Sequence, residues 1–570
     1  MAALTMYING REIEAQPGST VLEAARAAGI SIPTLCHHPA LSNSGGCRMC
    51  LVEVEPRGQL QPACTFPVSP GLRVHTHSEK VVRARRFVLE LLFSERGHYC
   101  MYCAADGQCD LQTLAYEHGL DHWTYPRPDK NYTVDASRPY FVMDHNRCIL
   151  CRRCIRACSE VAGVHTLDMG QRGAQSLVVA DLNVPFGQSS CISCGSCLDV
   201  CPTGALVDRR SAYMGGDADL ERVGTVCAQC SLGCEIVVRT RSGRVIRIES
   251  DWEGATSGGL LCRQGRFAPL YVTAPRVRSP LRRVGGGLVP CTWEEALGLL
   301  GERLSAAPQG AVAAVASARA TNEELDAFVA AFGPRAARLA LFDGAPVAAA
   351  PGEVADLAAV EDAAAVLALA ADLDDEHEVA ACFMRRARDR GARLILADCR
   401  ATRLSGAAVR LAGPGVEELQ ESLGTLAPLV VLYGPEASPD LLEALAERRG
   451  AAFLGLPAGV NAMGAAARGL KPDGRAIEAE LLYVYAADSL STDLLIRRAA
   501  FTAVQSCYRT SLTEAADLVL PALHWSEKAG HLTGADGRLR RMVQAVPAAP
   551  WARDDREVLL ALERLAEAAH

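Results

Sequence analysis

The chain has 570 residues, 49% of them hydrophobic and 22% charged, and a formal net charge of −8. This length is enough for about three to five domains, and the composition is that of a folded protein with sizeable cores, which excludes a disordered or collagen-like chain. The negative charge gives no basic surface for nucleic acid. No apolar run reaches the ~18–20 residues of a membrane helix, and the N-terminus has no signal-peptide pattern, so we expect a cytoplasmic protein.

The cysteines are the most informative feature of the sequence. Of the 23 cysteines, 19 lie before residue 263, and the remaining 308 residues hold four. Clustered cysteines in a cytosolic chain of this length predict metal ligands rather than the disulfides of a small secreted scaffold.

Residues 1–78 predict a small β-rich domain with a β-grasp, ferredoxin-like fold. Met6 to Ala15 reads as a hairpin turning at Asn9-Gly10, and Ser19 or Thr20 can cap the helix that follows. Soft thiolates suit iron–sulfur clusters or zinc, and the β-grasp context favours a 2Fe–2S centre over the zinc alternative. The predicted ligands are Cys36, Cys47, Cys50 and Cys64.

Residues 79–139 predict a largely helical domain with a second, mixed set of ligands. Its three cysteines leave one corner of a 4Fe–4S cluster open, and a nearby histidine can fill it with a neutral ligand that raises the reduction potential. The predicted ligands are His98, Cys100, Cys103 and Cys109, with His118, His122 and His145 as weaker alternatives to His98.

Residues 140–215 contain two runs with the spacing C-x2-C-x2-C-x3-C, the pattern of two-cluster bacterial ferredoxins. In that pattern the fourth cysteine of each run ligates the other cluster, so each predicted 4Fe–4S centre draws on both runs. One set is Cys148, Cys151, Cys154 and Cys201, and the other is Cys191, Cys194, Cys197 and Cys158.

A fifth set of cysteines lies in residues 216–275, where short strands are predicted at 235–239 and 244–248. By spacing alone it suits either a zinc ribbon or a 4Fe–4S centre. Its members are Cys227, Cys230, Cys234 and Cys262.

Residues 276–570 change to an Ala-, Leu- and Gly-rich composition with few cysteines. Apolar runs alternate with helical stretches such as 294–304 and 439–448, which predicts an α/β domain with a parallel sheet covered by helices. The predicted strands are 311–316, 364–370, 393–397, 429–433, 481–485 and 501–504.

The five sets, in this order, resemble the large iron–sulfur subunit of respiratory complex I, the NADH-quinone oxidoreductase. They also resemble the iron–sulfur subunit of NAD-reducing nickel–iron hydrogenases and the front half of NAD-dependent formate dehydrogenases. The segments IPTLCHHPALSNSGGCRMCLVEVE and SERGHYCMYCAADGQCDLQ are similar to the family's 2Fe–2S and His–Cys segments. The single residue Tyr99 between the histidine and the first cysteine, and the intact second ferredoxin run, are closer to the hydrogenase-linked subunits.

The C-terminal half resembles a molybdopterin oxidoreductase domain in the reduced form seen in complex I. The resemblance is carried by WEEAL at 293–297, TNE at 321–323, ADLVLP at 516–521 and DGR at 536–538. The GLLCRQGRF segment at 259–267 belongs to the same resemblance, which implies a 4Fe–4S centre rather than zinc at the fifth set. Gln264 stands where molybdenum enzymes have Lys or Arg, and His531 and Gly534 replace the usual Thr and Asn. The resemblance therefore implies a degenerate scaffold without molybdopterin.

These observations predict an electron-transfer subunit with one 2Fe–2S and four 4Fe–4S clusters. No G-x-G-x-x-G after a strand and no P-loop is present, so FMN and NAD(H) are expected on a partner subunit that has its own iron–sulfur centres. The second partner would be a hydrogenase, a formate dehydrogenase or a quinone module. The alternatives are a catalytic molybdenum or tungsten oxidoreductase of the formate dehydrogenase type and a mainly structural protein.

Overall fold

The computed structural model describes residues 3–126, 130–473, 478–491 and 498–567. The chain forms two compact units, Met1–Glu221 and Arg222–His570. Among the described helices, none combines the length and the apolar character needed to cross a membrane.

The first unit begins with a five-stranded sheet and one helix. The predicted hairpin is confirmed: Asn9 and Gly10 have φ angles of 54° and 80°, the left-handed pair that a tight hairpin turn requires. Thr20 caps the following helix, accepting from Glu23 N at 3.3 Å while Glu23 Oε2 accepts from Thr20 N at 2.7 Å. The strand order is β2-β1-β5-β3-β4, with β1 and β5 parallel and the other pairs antiparallel. The elements are β1 (Leu4–Ile8), β2 (Arg11–Ala15), α1 (Val21–Ala27), β3 (Leu51–Val54), β4 (Gln59–Pro62) and β5 (Arg73–His75).

Two helices follow, α2 (Glu79–Glu95) and α3 (Asp110–Glu117). Ser78 caps α2 by accepting from Val81 N at 3.3 Å. The buried face of α2 carries Val81, Arg85, Leu89 and Phe93, at a spacing of four residues. In the rest of this region that the structure describes (96–109, 118–126 and 130–139), one 3-10 turn, Cys100–Tyr102, lies among loops, and the second predicted set lies at 98–109.

The cysteine-dense part of the first unit has two short antiparallel ladders and two one-turn helices. A π-helical turn, Ala157–Val161, directly follows α4. The elements are β6 (Phe141–Met143), α4 (Arg153–Arg156), β7 (Leu167–Gly170), β8 (Leu177–Ala180), α5 (Ser196–Asp199) and β9 (Leu206–Asp208), and β6 pairs with β9 and β7 with β8.

The second unit starts with a three-stranded sheet of order β10-β11-β12. Its elements are β10 (Glu221–Val226), β11 (Glu235–Arg241), β12 (Arg244–Ser250) and the short helix α6 (Arg263–Arg266).

The remainder of the second unit alternates strands and helices as the sequence predicts, and the strands predicted at 393–397 and 429–433 have the observed bounds. In chain order the elements are β13 (Leu281–Val284), β14 (Gly287–Pro290), α7 (Trp293–Ala306), β15 (Val312–Ser317), α8 (Asn322–Phe332), β16 (Ala336–Asp343), β17 (Glu353–Val354), α9 (Leu357–Glu361), β18 (Ala365–Leu369), α10 (Glu378–Asp389), β19 (Arg393–Ala397), β20 (Val409–Leu411), α11 (Val416–Leu423), β21 (Leu429–Tyr433), α12 (Pro439–Ala446), β22 (Ala451–Gly455), α13 (Ala462–Ala466), β23 (Glu478–Ala487), β24 (Arg498–Ser506), α14 (Ser511–Ala515), β25 (Leu518–Pro521), β26 (Gly530–Thr533), β27 (Leu539–Met542) and α15 (Asp555–Glu567).

These strands form two main sheets, where the sequence pattern suggests one. A six-stranded parallel sheet of order β17-β22-β21-β18-β19-β20 is inserted between β16 and β23 of a seven-stranded sheet of order β14-β13-β25-β24-β23-β15-β16. The larger sheet is parallel except for the β13–β14 hairpin at its edge, which pairs antiparallel to β25.

A buried ion cluster lies beside the core of the larger sheet. Lys528 Nζ is 3.0 Å from Glu324 Oε1 and 2.9 Å from Asp555 Oδ2. Tyr485 Oη donates to Asp555 Oδ2 at 3.0 Å. The lysine is therefore the positive charge that these two buried carboxylates share.

We expect Lys528→Met to lower the free energy of unfolding of the second unit by about 3–5 kcal/mol, because it leaves two buried carboxylates without a counter-charge. Urea unfolding followed by tryptophan fluorescence measures this, since four of the five tryptophans (252, 293, 525 and 551) lie in the second unit. Lys471→Met, at an exposed lysine, serves as the control. Equal unfolding midpoints for the two variants would contradict the prediction.

Candidate metal centres

The first predicted set lies together: three of its cysteines are in the loop between α1 and β3, and Cys64 follows β4. The side chain of Cys36 contacts those of Cys47 and Cys64, and the side chain of Cys50 contacts that of Cys64. The backbone N–H of Cys47 donates to Cys36 Sγ at 3.4 Å. These thiol contacts hold the pKa of Cys36 far below its ordinary value, because Cys47 and Cys64 donate to its sulfur.

The second predicted set lines one cavity. His98, Cys100, Cys103 and Cys109 all face this cavity, and of the described residues His98 is the histidine in its wall. The alternatives lie elsewhere: His118 Nδ1 is 3.0 Å from Leu114 O, and His122 Nδ1 is 2.7 Å from Asp121 Oδ1.

Packing fixes the ligand side chains around this cavity. The His98 ring lies edge-on to Phe93, with 5.4 Å between centroids. Cys109 precedes the first residue of α3, and burial raises the pKa of its thiol to about 12. Gly204 fits closely against the site, because a Cβ built there would lie 2.5 Å from Cys103 Sγ.

The two ferredoxin runs fold with the same local geometry. Leu150 and Arg152 in the first run have φ angles of 53° and 61°, and Ser193 and Gly195 at the matching positions of the second run have 61° and 77°. These left-handed residues aim backbone N–H groups at sulfur: Leu150 N donates to Cys148 Sγ at 3.4 Å and Ser193 N to Cys191 Sγ at 3.3 Å. The repeat thus predicts two similar ligand loops, each followed by one turn of helix.

The fourth cysteine of each run lies with the other run. One cavity is lined by Cys158 together with Cys191, Cys194 and Cys197. The other group is close enough for Cys148, Cys151 and Cys154 each to interact electrostatically with Cys201. Cys158 lies in the π-helical turn that follows the first run, and this turn places it beside the second run. The π-helical geometry is shown by Ala162 N, which donates to Ala157 O, five residues back, at 3.1 Å.

The fifth predicted set is a buried group within the second unit. The four cysteines, Cys227, Cys230, Cys234 and Cys262, interact electrostatically with one another. Gly265 N donates to Cys262 Sγ at 3.4 Å. A Cβ at Gly265 would lie 3.1 Å from Cys227 Sγ, so this glycine lets the short helix α6 approach the site.

Two of the predicted sets surround cavities. Within the described ranges, no three Cys, His, Asp or Glu side chains are grouped as ligands of one metal ion. A zinc site needs its thiolates about 2.3 Å from a common ion. The second and fourth sets instead surround cavities, as a cluster with one protein ligand at each iron requires.

Sequence reasoning missed a set of arginines beside these sites. Arg85, Arg96, Arg138 and Arg156 all lie in the first unit, and the first, second and fourth of them are buried. Charged residues are usually assigned to the surface, but Arg85 falls four residues after Val81 and four before Leu89, on the apolar face of α2. That position is the signal that could have identified it.

The carboxyl ends of the large parallel sheet, where open α/β sheets bind ligands, are filled by paired side chains. Arg319 Nε donates to Asp488 Oδ1 at 3.0 Å, and Asp343 accepts from Ser317 Oγ at 2.8 Å and Ser489 Oγ at 2.6 Å. Although burial favours the neutral acid, Arg319 lowers the pKa of Asp488 to about 2. The polar groups at this edge therefore satisfy one another.

Five family models match consecutive parts of the chain. They are the 2Fe-2S iron-sulfur cluster binding domain at 1–79, the NADH-ubiquinone oxidoreductase-G iron-sulfur binding region at 85–123 and the NADH-quinone oxidoreductase subunit 3 ferredoxin-like domain at 138–207. The molybdopterin oxidoreductase Fe4S4 domain matches 220–274, and the molybdopterin oxidoreductase model matches 445–564.

Known proteins are similar to part of the chain. An NADH-quinone oxidoreductase subunit of Rhizobium meliloti is 35% identical over 57% of this chain and 38% of its own length. The alpha subunit of NADPH-Fe(3+) oxidoreductase of Geobacter sulfurreducens is 34% identical over 56% of this chain and 38% of its own. A chain of a crystal structure of NAD+-reducing [NiFe]-hydrogenase in the H2-reduced state is 39% identical over 38% of this chain and 91% of that chain, with a TM-score of 0.36.

The chain spans less than half the length of the curated relatives it matches. The resemblance predicted from the sequence is confirmed: the chain matches, one after another, models of four iron–sulfur regions, two of which are named for NADH-quinone or NADH-ubiquinone oxidoreductase, and then a molybdopterin oxidoreductase model.

Proposed function

We propose that this chain is an iron–sulfur electron-transfer subunit of a multisubunit NAD(P)H-linked oxidoreductase. It would relay electrons between a subunit that binds flavin and NAD(H) and a second redox partner. The observation that carries the proposal is the grouping of twenty thiol and imidazole side chains into five sets within the matching iron–sulfur domains.

Each set would hold one cluster. The first set would hold a 2Fe–2S cluster and each of the other four a 4Fe–4S cluster. The proposed ligands are Cys36, Cys47, Cys50 and Cys64; His98, Cys100, Cys103 and Cys109; Cys148, Cys151, Cys154 and Cys201; Cys191, Cys194, Cys197 and Cys158; and Cys227, Cys230, Cys234 and Cys262.

When bound, such clusters accept and release single electrons. The protein's own residues set the conditions for this. Backbone N–H groups, such as those of Leu150 and Ser193, donate to ligand sulfurs and stabilise the thiolate form. Buried apolar neighbours such as Phe93 and Phe186 keep water away from the cavities of the second and fourth sets.

Flavin and NAD(H) would be bound by a partner subunit. The sequence has no dinucleotide fingerprint or P-loop, and the ligand-binding edge of the large sheet is filled by the Arg319–Asp488 pair. The same pair supports a scaffold role for residues 276–570 without molybdopterin. The second partner would be a hydrogenase, a formate dehydrogenase or a quinone module.

We also propose a cytoplasmic location, with any membrane attachment supplied by partners. The support is the use of cysteines as clustered free thiols in a chain of this length, which suits a reducing compartment.

The competing function is a catalytic molybdenum or tungsten oxidoreductase, which the match at 445–564 favours. Metal analysis separates the two. Under our proposal the anaerobically purified chain contains about 18 iron atoms and no molybdenum or tungsten. Mass spectrometry of the metals measures both, and stoichiometric molybdenum on this chain would reject the scaffold role.

We expect Gly204→Ala to reduce iron binding at the second set, because the added Cβ would overlap Cys103 Sγ. Iron per chain and the EPR spectrum measure the loss. Gly216→Ala is the matched control, since its nearest contact would be an ordinary 3.8 Å from Asp106 O. Retention of full iron and an unchanged spectrum in Gly204→Ala would show that this glycine does not shape the site.

We expect His98→Ala to make the second cluster labile or convert it to a three-iron form, since one iron loses its protein ligand. His98→Cys should keep four irons and lower the potential, because a thiolate adds negative charge. EPR with redox titration measures both results, and His118→Ala is the control. A wild-type spectrum in both His98 variants would reassign the ligand.

A further inference from the structure

Four arginines of the first unit have their positive charge inside the protein, with no carboxylate of the described residues paired to it. The exposed fraction is 1% for Arg85 and Arg96 and 9% for Arg156, and Arg138 is half-buried. Within the described part of the chain, the hydrogen-bond acceptors of all four are backbone carbonyls, together with one serine hydroxyl for Arg138.

Each of these arginines bonds at or beside a predicted ligand loop. Arg85 Nη2 donates to Leu51 O, next to Cys50, at 2.8 Å. Arg138 Nη2 donates to the carbonyl of Cys191 itself at 2.7 Å. Arg96 Nη2 donates to Ser176 O at 2.9 Å, and its Nη1 donates to His145 O in the loop before Cys148.

The arginine charges also act on the cysteine sulfurs. Arg85 and Cys50 attract each other electrostatically, as do Arg96 and Cys148, and Arg138 and Cys191. One of these guanidiniums thus interacts with each of three predicted sets, the first, third and fourth, and in the third set Cys151 also interacts with Arg153.

Arg156 occupies a position shared between sets. It lies on α4 between Cys154 and Cys158, which belong to different sets, and its guanidinium donates to Cys36 O and Ser42 O of the first set. Glu160 accepts from the backbone N–H and the hydroxyl of the same serine, at 2.8 and 2.5 Å. Residues 153–160 therefore connect the 2Fe–2S loop to the ferredoxin runs.

A buried guanidinium needs an anion. Taking an arginine out of water costs several kcal/mol, and carbonyl acceptors replace its hydration without neutralising its charge. Thiolate-ligated clusters are anionic groups, and they are the negative charge that the ligand sets would bring beside these arginines.

We propose that Arg85, Arg96, Arg138 and Arg156 are counter-charges of the iron–sulfur centres of the first, third and fourth sets and raise their reduction potentials. The inference rests on the proposed function, since it needs the centres to be bound. Reduction adds one negative charge to a centre, so a fixed positive charge nearby stabilises the reduced form more than the oxidised form. Removing the charge must lower the potential of the centre that it faces.

The sharpest test uses Arg85 in the intact, iron-loaded chain. Arg85→Gln keeps a donor to Leu51 O and removes the charge, whereas Arg85→Lys keeps the charge. The control is Arg83→Gln on the same helix, because Arg83 is exposed and paired with Glu79 at 2.9 Å. An EPR-monitored redox titration of the 2Fe–2S signal gives the midpoint potential of each variant.

We expect Arg85→Gln to lower the equilibrium constant for one-electron reduction of the 2Fe–2S centre about tenfold, which lowers its midpoint potential by about 59 mV. Arg85→Lys should retain most of the wild-type potential, and Arg83→Gln all of it. A 2Fe–2S centre in Arg85→Gln with a wild-type midpoint would overturn the inference, because carbonyl bonding alone would then explain the arginine.

A second variant keeps the test decisive if Arg85→Gln does not retain its centre. Arg138→Gln removes a half-buried guanidinium beside Cys191 and should lower the potential of the fourth-set centre while leaving the 2Fe–2S midpoint unchanged. An unshifted fourth-set centre in this variant would overturn the inference. Absence of iron–sulfur signals from the wild-type chain would instead reject the proposed function, so the two failures are distinguishable.

Discussion

The proposed function places one electrostatic constraint on the first unit: sulfurs must be anionic to bind iron, and most of the predicted ligand sulfurs lie where burial disfavours an anion. Burial raises the pKa of Cys154 and Cys197 well above that of an ordinary thiol. These two thiols would therefore keep their protons in an empty site, and iron binding would displace them. Two kinds of group near the sulfurs favour the thiolate form. Backbone N–H groups donate to the sulfurs, and guanidinium groups lie beside their loops.

Other predicted ligands are part of the hydrophobic core of the first unit. Cys50 and Cys64 pack with Met6 and Val52 in the core of the N-terminal sheet. Cys47 and Cys109 pack against the core formed by Leu35, Met49 and Leu89. Ligand binding and core packing therefore cannot be separated in this unit, because the residues that would hold the clusters also hold the apolar side chains together. In the second unit, by contrast, the main core consists of aliphatic and aromatic side chains on helices and the large sheet.

The sequence was sufficient to predict those features of the fold and of the candidate sites that follow from the spacing of nearby residues. The hairpin at Asn9-Gly10 was predictable because few dipeptides accept two left-handed residues in succession. The grouping of Cys158 with the second run was predictable because the repeated spacing is that of two-cluster ferredoxins, in which the fourth cysteine of each run ligates the other cluster. Strand positions in the second unit were predictable from apolar runs. The division of those strands between two sheets was not, because pairing joins residues far apart in sequence, as when β15 pairs with β23.

The burial of these arginines could not be predicted from the sequence pattern, and the reason is physical. The apolar pattern of the helix predicts that Arg85 interrupts the buried face, because a charge inside a protein is ordinarily unfavourable. It becomes favourable only beside an anion, and the anion belongs to a group that the amino-acid sequence does not spell out. A basic residue on an otherwise apolar helix face, close to predicted metal ligands, can therefore indicate that the bound group is negatively charged. On this argument, Arg85 within the face defined by Val81 and Leu89 is evidence for a negative centre near Cys50 that is independent of the cysteine spacing itself.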